Sequence, residues 1–187
     1  MHPAGWGDRR GRVLARILSR LLDGHPRFAC SPPRRWRRAT RGFVIVDETH
    51  PHRVVVRRHI RAQPARVFAA WTEPQQLLTW WGPAGVVCTH AEVDLQVGGG
   101  FRLANQMPDG SLVWISGTYE EVTPPDRLRH TWLVEPSSSS PSSVTVTFEA
   151  SDGGTEVVIT HDKVIDPAER AEHKGGWVGC LEELAQL

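Results

Sequence analysis

Two histidines on strand-like segments are the residues best placed to do chemistry in this sequence of 187 residues. His130 alternates in phase with Leu128 and Trp132, and His161 alternates in phase with Ile159, so both are expected on the apolar face of a strand. Histidine can donate or accept a proton near pH 7. A single histidine on an apolar strand face is, however, more commonly a hydrogen-bonded structural residue. His130 and His161 are therefore catalytic candidates, and the sequence assigns no catalytic residue outright.

The spacing of the other reactive residues does not support metal or cofactor chemistry. The histidines show no His-x-x-x-His or His-Glu-x-x-His pattern, and Cys30, Cys88 and Cys180 are too far apart to form a Cys-x-x-Cys pair. The glycine run at residues 98–100 lacks the Lys and Ser/Thr of a phosphate-binding loop. We therefore predict no metal site and no cofactor. An odd number of scattered cysteines is typical of reduced thiols, which favours a cytoplasmic location.

Charge is distributed unevenly along the chain. Residues 1–42 carry 11 Arg and 2 Asp, whereas residues 43–187 carry 11 basic and 19 acidic residues. We predict that residues 1–42 are a basic tail, disordered or partly helical, because residues 13–22 have an amphipathic helical pattern. Contact of this tail with a membrane surface or a protein is a less favoured interpretation, and contact with nucleic acid is the least favoured. No run in the sequence approaches the ~18 apolar residues that a membrane span needs.

Two short consecutive helices are predicted after the first strand. Pro64 opens the first helix. The second is expected to begin at Thr72, which forms a capping-box pattern with Gln75, and to end at Gly82, where a left-handed residue is expected. The leucines and tryptophans of this second helix present more apolar surface than one short helix can bury alone. It is therefore expected to pack against a larger element.

Most of the remaining chain has strand patterns, and the last segment has the pattern of a long helix. Strands are predicted at residues 52–62, 86–95, 101–107, 112–122, 128–135, 144–150 and 155–161. Asp166 is predicted to cap the closing helix, which is expected to run to Leu187. The Gly175-Gly176 pair predicts a kink or a close backbone contact within that helix.

This order of elements predicts an α+β fold. Six consecutive antiparallel strands can bury a long helix only if the sheet curls around it, with the two short helices closing one end. We therefore predict one domain over residues 52–187, in which a curved antiparallel sheet grips the C-terminal helix. A sheet curved in this way tends to leave a space between itself and the helix, and a ligand would occupy that space.

The ligand-binding side chains are predicted from the apolar face of each element. On the fourth strand, Trp114 is out of phase with Val113 and Ile115, and we place the latter two on the inner face. The predicted pocket residues, all in phase with apolar neighbours, are Trp81, Phe101, Leu103, Met107, Val113, Ile115, Trp132 and Trp177.

Several motifs carry a family resemblance over roughly residues 53–187. They include Trp80-Trp81-Gly82-Pro83, Glu92-Val93-Asp94-Leu95, Gly98-Gly99-Gly100-Phe101, Gly117-Thr118-Tyr119-Glu120-Glu121 and His173-x-x-Gly176-Trp177. In order and spacing they resemble bacterial proteins similar to the C-terminal domain of the activator of the heat shock protein 90 ATPase. Those proteins belong to the START-like, or SRPBCC, superfamily with the Bet v 1-like helix-grip fold. The chain departs from the pattern at Gln96-Val97, where relatives usually carry Arg and Pro.

The resemblance implies a domain that binds a hydrophobic ligand or a protein partner, and it implies no fixed activity. Binding of a small hydrophobic molecule is the leading hypothesis. A polyketide cyclase/dehydratase-like enzyme, using His130 or His161 to move a proton, is the first alternative. A co-chaperone-like or stress-response adaptor is the second, and it would use an acidic outer sheet face. The glutamates expected on that face are Glu120, Glu135, Glu149 and Glu156.

Overall fold

The computed structural model describes residues 45–47, 51–135 and 141–187. The basic tail predicted over residues 1–42 and the middle of the serine-rich loop lie outside these residues. The strands are β1 Ile45–Asp47, β2 Arg53–Ile60, β3 Val87–Val93, β4 Gly100–Gln106, β5 Leu112–Thr123, β6 Arg127–Glu135, β7 Ser142–Ser151 and β8 Gly154–Asp162. The helices are α1 Pro64–Thr72, α2 Pro74–Trp80 and α3 Pro167–Leu184.

All eight strands form one antiparallel sheet in the order β1-β2-β8-β7-β6-β5-β4-β3. Because β2 pairs with β8 and β3 lies at the opposite edge, the chain between β2 and β3 must cross the sheet, and it does so through α1 and α2. Register shifts between Cys88 and His90 and between Tyr119 and Glu121 mark β-bulges, which bend the strands. These features confirm the predicted α+β helix-grip fold, with a curved sheet around a C-terminal helix.

Helix α3 begins at a cap that the sequence predicts. The carboxylate of Asp166 accepts hydrogen bonds from the backbone N–H groups of Ala168 and Glu169, at 2.7 and 3.0 Å. The helix ends at Leu184, three residues before the predicted end. It packs on β2 and contacts α2, and its buried face includes Leu181 and Leu184, both with 0% exposure. No helix of the described chain is long and apolar enough to span a membrane.

The predicted capping box of the second helix is wrong. Thr72 is the last residue of α1, and its hydroxyl donates to the carbonyl of Phe68 at 2.9 Å. Helix α2 starts at Pro74 with Glu73 as its N-cap residue, and no side chain caps it. A single residue, Glu73, separates the two helices. Thr72 therefore belongs to the first helix, and its hydroxyl bonds within that helix. The predicted end is confirmed, because Gly82 has a φ of +122°.

The close backbone contact of α3 lies one turn later than predicted. The helix is continuous through Gly175 and Gly176, and no atom would lie within 4 Å of a Cβ at Gly176. A Cβ at Gly179 would instead lie 2.4 Å from the Cβ of Pro83, which follows α2. The glycine that permits close packing of α3 is therefore Gly179.

Strand β1 is an element that the sequence analysis missed. Its three residues pair with β2, with Val46 opposite Val56. The strand lies before residue 52, where the predicted domain begins. A strand this short is recognised from its pairing partner, since three residues are too few to establish an alternation.

Candidate functional site

Tryptophans fill the space predicted between the sheet and the terminal helix. The tryptophan cluster consists of Trp71, Trp80, Trp81, Trp132 and Trp177, which come from α1, α2, the residue after α2, β6 and α3. Their neighbouring rings lie 4.7 Å (Trp132 to Trp177) to 6.4 Å (Trp71 to Trp177) apart. All five are buried. The interior that the sequence predicts to be partly open is therefore largely closed by indole rings.

A cleft lies beside the cluster. It has a volume of about 20 Å³, which is room for about one water molecule. Its lining, which we call the aromatic cleft, consists of Trp71, Leu77, Trp81, Val93, Phe101, Leu103, Tyr119, His130 and Trp132. Helices α1 and α2 contribute one side and strands β3 to β6 contribute the other.

The aromatic cleft contains four of the eight predicted pocket residues, namely Trp81, Phe101, Leu103 and Trp132. The other four, Met107, Val113, Ile115 and Trp177, do not line it. Trp177 is buried behind Trp132, and the remaining three lie toward the β4–β5 turn, where Val113 pairs with Asn105. Alternation indicates which face of a strand a residue occupies, but it does not indicate how far along the strand the cleft extends.

Four other lining residues were absent from the predicted sites. They are Trp71, Leu77, Val93 and Tyr119. Tyr119 could have been found, because it continues the alternation of Val113 and Ile115 along β5. Trp114 lies on the opposite face of β5, where the guanidinium of Arg102 stacks 4.1 Å from the centre of its ring.

His161 is held in a hydrogen-bonded chain that leaves no nitrogen for catalysis. The indole N–H of Trp177 donates to its Nδ1 at 3.1 Å, and because an indole nitrogen can only donate, Nδ1 must be unprotonated. The proton therefore resides on Nε2, which lies 2.6 Å from the hydroxyl oxygen of Ser142. That hydroxyl in turn donates to the backbone carbonyl of Trp132 at 3.2 Å. The chain ties α3 to strands β8, β7 and β6.

The environment of His161 keeps it neutral. The residue has 0% exposure, and burial lowers its pKa well below 6.5, with smaller contributions in the same direction from His173 and His130. The ring of His173 lies 4.4 Å from that of His161, and burial lowers the pKa of His173 to about 4. His161 does not line the aromatic cleft. It therefore has the features of a structural residue.

His130 has the opposite tautomer and lines the aromatic cleft. Its Nδ1 lies 2.9 Å from the carbonyl oxygen of Thr131, which can only accept, so Nδ1 carries the proton and Nε2 is an acceptor. Burial lowers the pKa of His130 to about 4, although the Thr131 hydrogen bond and Glu120 act in the opposite direction. Burial raises the pKa of the neighbouring Tyr119 phenol, which stays protonated. At neutral pH both groups are therefore uncharged.

The indole N–H groups of the tryptophan cluster differ in their partners. Trp80 donates to the carbonyl of Ala70 at 2.8 Å, and Trp177 donates to His161. The indole N–H groups of Trp81 and Trp132 are buried and have no hydrogen-bond partner among the described residues. The residues that line the aromatic cleft thus include two tryptophans whose buried N–H groups lack a partner, one neutral imidazole and one phenol.

A metal site receives no support in this region. Within residues 51–135 and 141–187, no three His, Cys, Asp or Glu side chains converge where an ion could be held. Cys88 and Cys180 are free and buried, and burial raises the pKa of the Cys180 thiol to about 12. Neither cysteine lines the aromatic cleft.

The outer face of the sheet carries paired charges. Three of the four glutamates predicted to form an acidic surface face arginines on the same sheet. The pairs are Arg129–Glu120 at 2.8 Å, Arg102–Glu135 at 3.7 Å and Arg57–Glu156 at 3.9 Å. Because these glutamates are matched by arginines, this part of the outer face has mixed charge.

Comparisons with known proteins agree with this fold. The family model described as Activator of Hsp90 ATPase homolog 1-like protein matches residues 61–187. A solved protein from Chromobacterium violaceum is 27% identical, with 73% of this chain and 96% of that chain covered and a TM-score of 0.65. An AHSA1 protein from Silicibacter pomeroyi is 24% identical, with 72% and 95% covered and a TM-score of 0.64, a likeness of fold alone. No curated protein matches the chain.

Proposed function

We propose that this chain, which belongs to the family of Activator of Hsp90 ATPase homolog 1-like proteins, binds a small hydrophobic molecule in the aromatic cleft. Binding of a ligand or partner is what the sequence leads us to expect of such a protein. The observation that carries the proposal is the composition of the wall. Five of its residues are Trp, Phe or Tyr and three are aliphatic, and no lining residue is charged at neutral pH. Such a wall favours an apolar ligand.

Binding requires the cleft to widen, because about 20 Å³ holds no organic molecule. The margin of the cleft where α2 meets β3 is best suited to move. Among the described strands, β3 lies at the edge and pairs with β4 alone, and α2 has seven residues and no side-chain cap at its start. Elements with few anchoring hydrogen bonds open at low free-energy cost.

Matched substitutions on β3 test the proposal. Val93 is half-buried and lines the cleft, whereas Val87 on the same strand has 56% of its surface exposed and lies outside it. We expect nuclear magnetic resonance titrations with naphthalene, flavone and decanoic acid to shift the resonances of cleft residues for at least one compound. Val93→Trp should fill the cleft and weaken that binding at least tenfold, and Val87→Trp should leave it unchanged.

Two outcomes would contradict cleft binding. One is the absence of shifts at cleft residues with every compound. The other is equal weakening by Val93→Trp and Val87→Trp, which would show that the titrated ligand binds elsewhere. Thermal unfolding of both variants distinguishes lost binding from lost folding.

An enzyme of the cyclase or dehydratase type is the second candidate. The specific observation that favours it is that the unprotonated Nε2 of His130 and the phenol of Tyr119 belong to the same cleft. Nε2 could accept a proton from a bound carbon acid while the phenol donates to its carbonyl. A general base works best when its pKa is near the working pH, and a pKa of about 4 makes His130 a weak base. This candidate therefore ranks below binding alone.

Hydrogen exchange in D₂O tests the enzyme candidate. Proton abstraction by His130 should exchange the methyl protons of acetophenone faster than buffer does, and His130→Gln should remove the excess rate. Exchange at the buffer rate with the ligand bound would contradict an enzymatic role.

Adaptor binding through the outer sheet receives less support, because the glutamates expected to attract a partner are largely paired with arginines.

A further inference from the structure

Strand β3 is an open edge of the sheet. Among the described strands it pairs with β4 alone, so backbone N–H and C=O groups along its other side face away from the sheet. Proteins commonly protect such an edge with lysine or proline, and the seven residues of β3 include neither. The β-bulge between Cys88 and His90 interrupts the strand near its start and leaves residues 90–93 in regular register. This half of β3 can therefore pair with another strand.

The side chains of this half of β3 are complementary to themselves in reverse order. His90 and Glu92 lie on the outer face on either side of Ala91, and their side chains have 45% and 68% of their surface exposed. If two copies of the strand pair antiparallel about a two-fold axis at Ala91, His90 of each copy lies opposite Glu92 of the other. An axis at His90 or at Glu92 would instead place identical side chains opposite each other, and directly opposed like charges are destabilising.

Exposed apolar side chains are concentrated at the two ends of the same strand. Val87 at its start is 56% exposed, and Leu95 and Val97, in the turn that follows it, are 37% and 67% exposed. Leu112 extends the apolar surface at the first end, because Val87 and Leu112 both pair with Gln106 of β4. The two-fold pairing brings the first end of each strand beside the turn that follows β3 in the other copy. Apolar surface would then be removed from water at both ends of the contact.

We propose that the chain forms a two-fold dimer in which β3 pairs antiparallel with β3 of a second copy, so that the two sheets become continuous. The pairs between His90 of one copy and Glu92 of the other select the register, since an imidazole N–H can donate to a carboxylate. The contact uses one short strand edge from each copy, and interfaces of small area are weak and transient. The dimer therefore forms as protein concentration rises, and in dilute protein the margin beside the aromatic cleft is free to open.

Two single substitutions in the full-length chain test the dimer and its register by sedimentation equilibrium. His90→Glu places Glu opposite Glu in both cross-strand pairs, and Glu92→His places His opposite His. We expect each variant alone to self-associate about tenfold more weakly than the unaltered chain. An equimolar mixture should recover most of the association, because each Glu of one variant then meets a His of the other. Neither variant regains its own His90–Glu92 contact in the mixture, so the recovery reports pairing between copies.

Substitutions elsewhere provide matched controls. Glu149→His makes the same change at an exposed residue of β7 and should leave association unchanged. Val97→Lys should weaken association, whereas Ile165→Lys, which alters a comparably exposed residue before α3, should not. Circular dichroism spectra of all variants distinguish lost association from lost folding.

The proposal fails if the chain has the mass of a monomer at every protein concentration. It also fails if both single variants associate as strongly as the unaltered chain, since the contact would then lie at another surface, such as the edge of β1 or the basic tail. A mixture that associates no more strongly than the single variants would overturn the pairing of His90 with Glu92 across the two-fold axis. None of these results bears on ligand binding in the aromatic cleft, which is measured separately.

Discussion

At the scale of single residues, two histidines with the same strand pattern have different environments. His161 uses both ring nitrogens in a chain from Trp177 to Ser142, whereas His130 uses only Nδ1. The difference arises from their neighbours. The indole N–H of Trp177 requires Nδ1 of His161 to accept, whereas the backbone carbonyl of Thr131 requires Nδ1 of His130 to donate. Only His130 therefore retains an acceptor in the aromatic cleft.

The buried histidines predict a loss of stability in mild acid. Burial lowers the pKa of His130 to about 4, so between pH 6.5 and pH 4 the unfolded chain binds more protons than the folded one, and the free energy of unfolding falls as pH falls. We expect urea unfolding to give constant stability between about pH 7 and pH 8. At ~1.4 kcal/mol per pKa unit, His130 alone should account for a loss of about 3 kcal/mol by pH 4.

A pair of variants checks the source of this pH dependence. His130→Gln should flatten part of the fall, and His90→Gln, which changes an exposed ring on the outer face, should leave it unchanged. His161 and His173 contribute to the remainder, since burial lowers the pKa of both. Stability that is constant from pH 7 to pH 4 would contradict the neutral burial of these rings.

At the scale of elements, α3 is positioned by Gly179, which allows the helix to approach Pro83 in the segment after α2. A Cβ on Gly179 would overlap the Cβ of Pro83, and a Cβ on Gly176 would meet nothing within 4 Å. The two glycines lie on the same helix three residues apart, so their helix propensities are comparable and only their surroundings differ. This distinction has a direct consequence for stability.

Alanine substitutions at these glycines should change stability in opposite directions. Gly176→Ala should raise the free energy of unfolding by roughly 0.5–1 kcal/mol, because alanine is the better helix former. Gly179→Ala should lower it by about 1–3 kcal/mol, because the overlap with Pro83 outweighs that gain. Thermal or urea unfolding measures both, and a stabilising Gly179→Ala would show that α3 does not pack closely against Pro83.

At the scale of the whole molecule, the described core begins with Val54, and the short strand β1 is the earliest described element. The family match begins at residue 61. Neither the described core nor the matched range includes residues 1–42, whose strongly basic composition differs from that of the rest of the chain. The predicted division into a tail and a domain therefore remains our proposal for the chain.

Two deletions test this division. Removal of residues 1–42 should leave the free energy of unfolding within about 0.5 kcal/mol of the full chain, because those residues complete no part of the described core. Removal of residues 1–50 also deletes β1 and exposes the edge of β2, which should lower stability and promote association through that edge. A marked loss of thermal stability after the first deletion would show that the tail docks on the domain.

Local features of the sequence determined the elements and their faces. Strand alternation, the Asp166 cap and the left-handed Gly82 depend on neighbours within a few positions, and the structure agrees with each of them. The order of these elements was sufficient to predict the helix-grip fold, because six antiparallel strands and one long helix have few ways to bury their apolar faces. Short-range signals failed where two elements compete, as at Thr72, which the first helix retains, and where a tertiary partner decides, as at β1 and Gly179.

Tertiary structure decided the character of the site. The hydrogen bonds through Trp132, Ser142, His161 and Trp177 join the three strands β6, β7 and β8 to the helix α3. No local sequence pattern could therefore indicate the tautomer of His161. The same holds for the size of the cleft, which depends on how five indole rings from separate elements fill one volume. Periodicity specifies that a side chain faces inward. Whether it lines a cleft, fills it or leaves an N–H unpaired depends on residues that packing alone brings together.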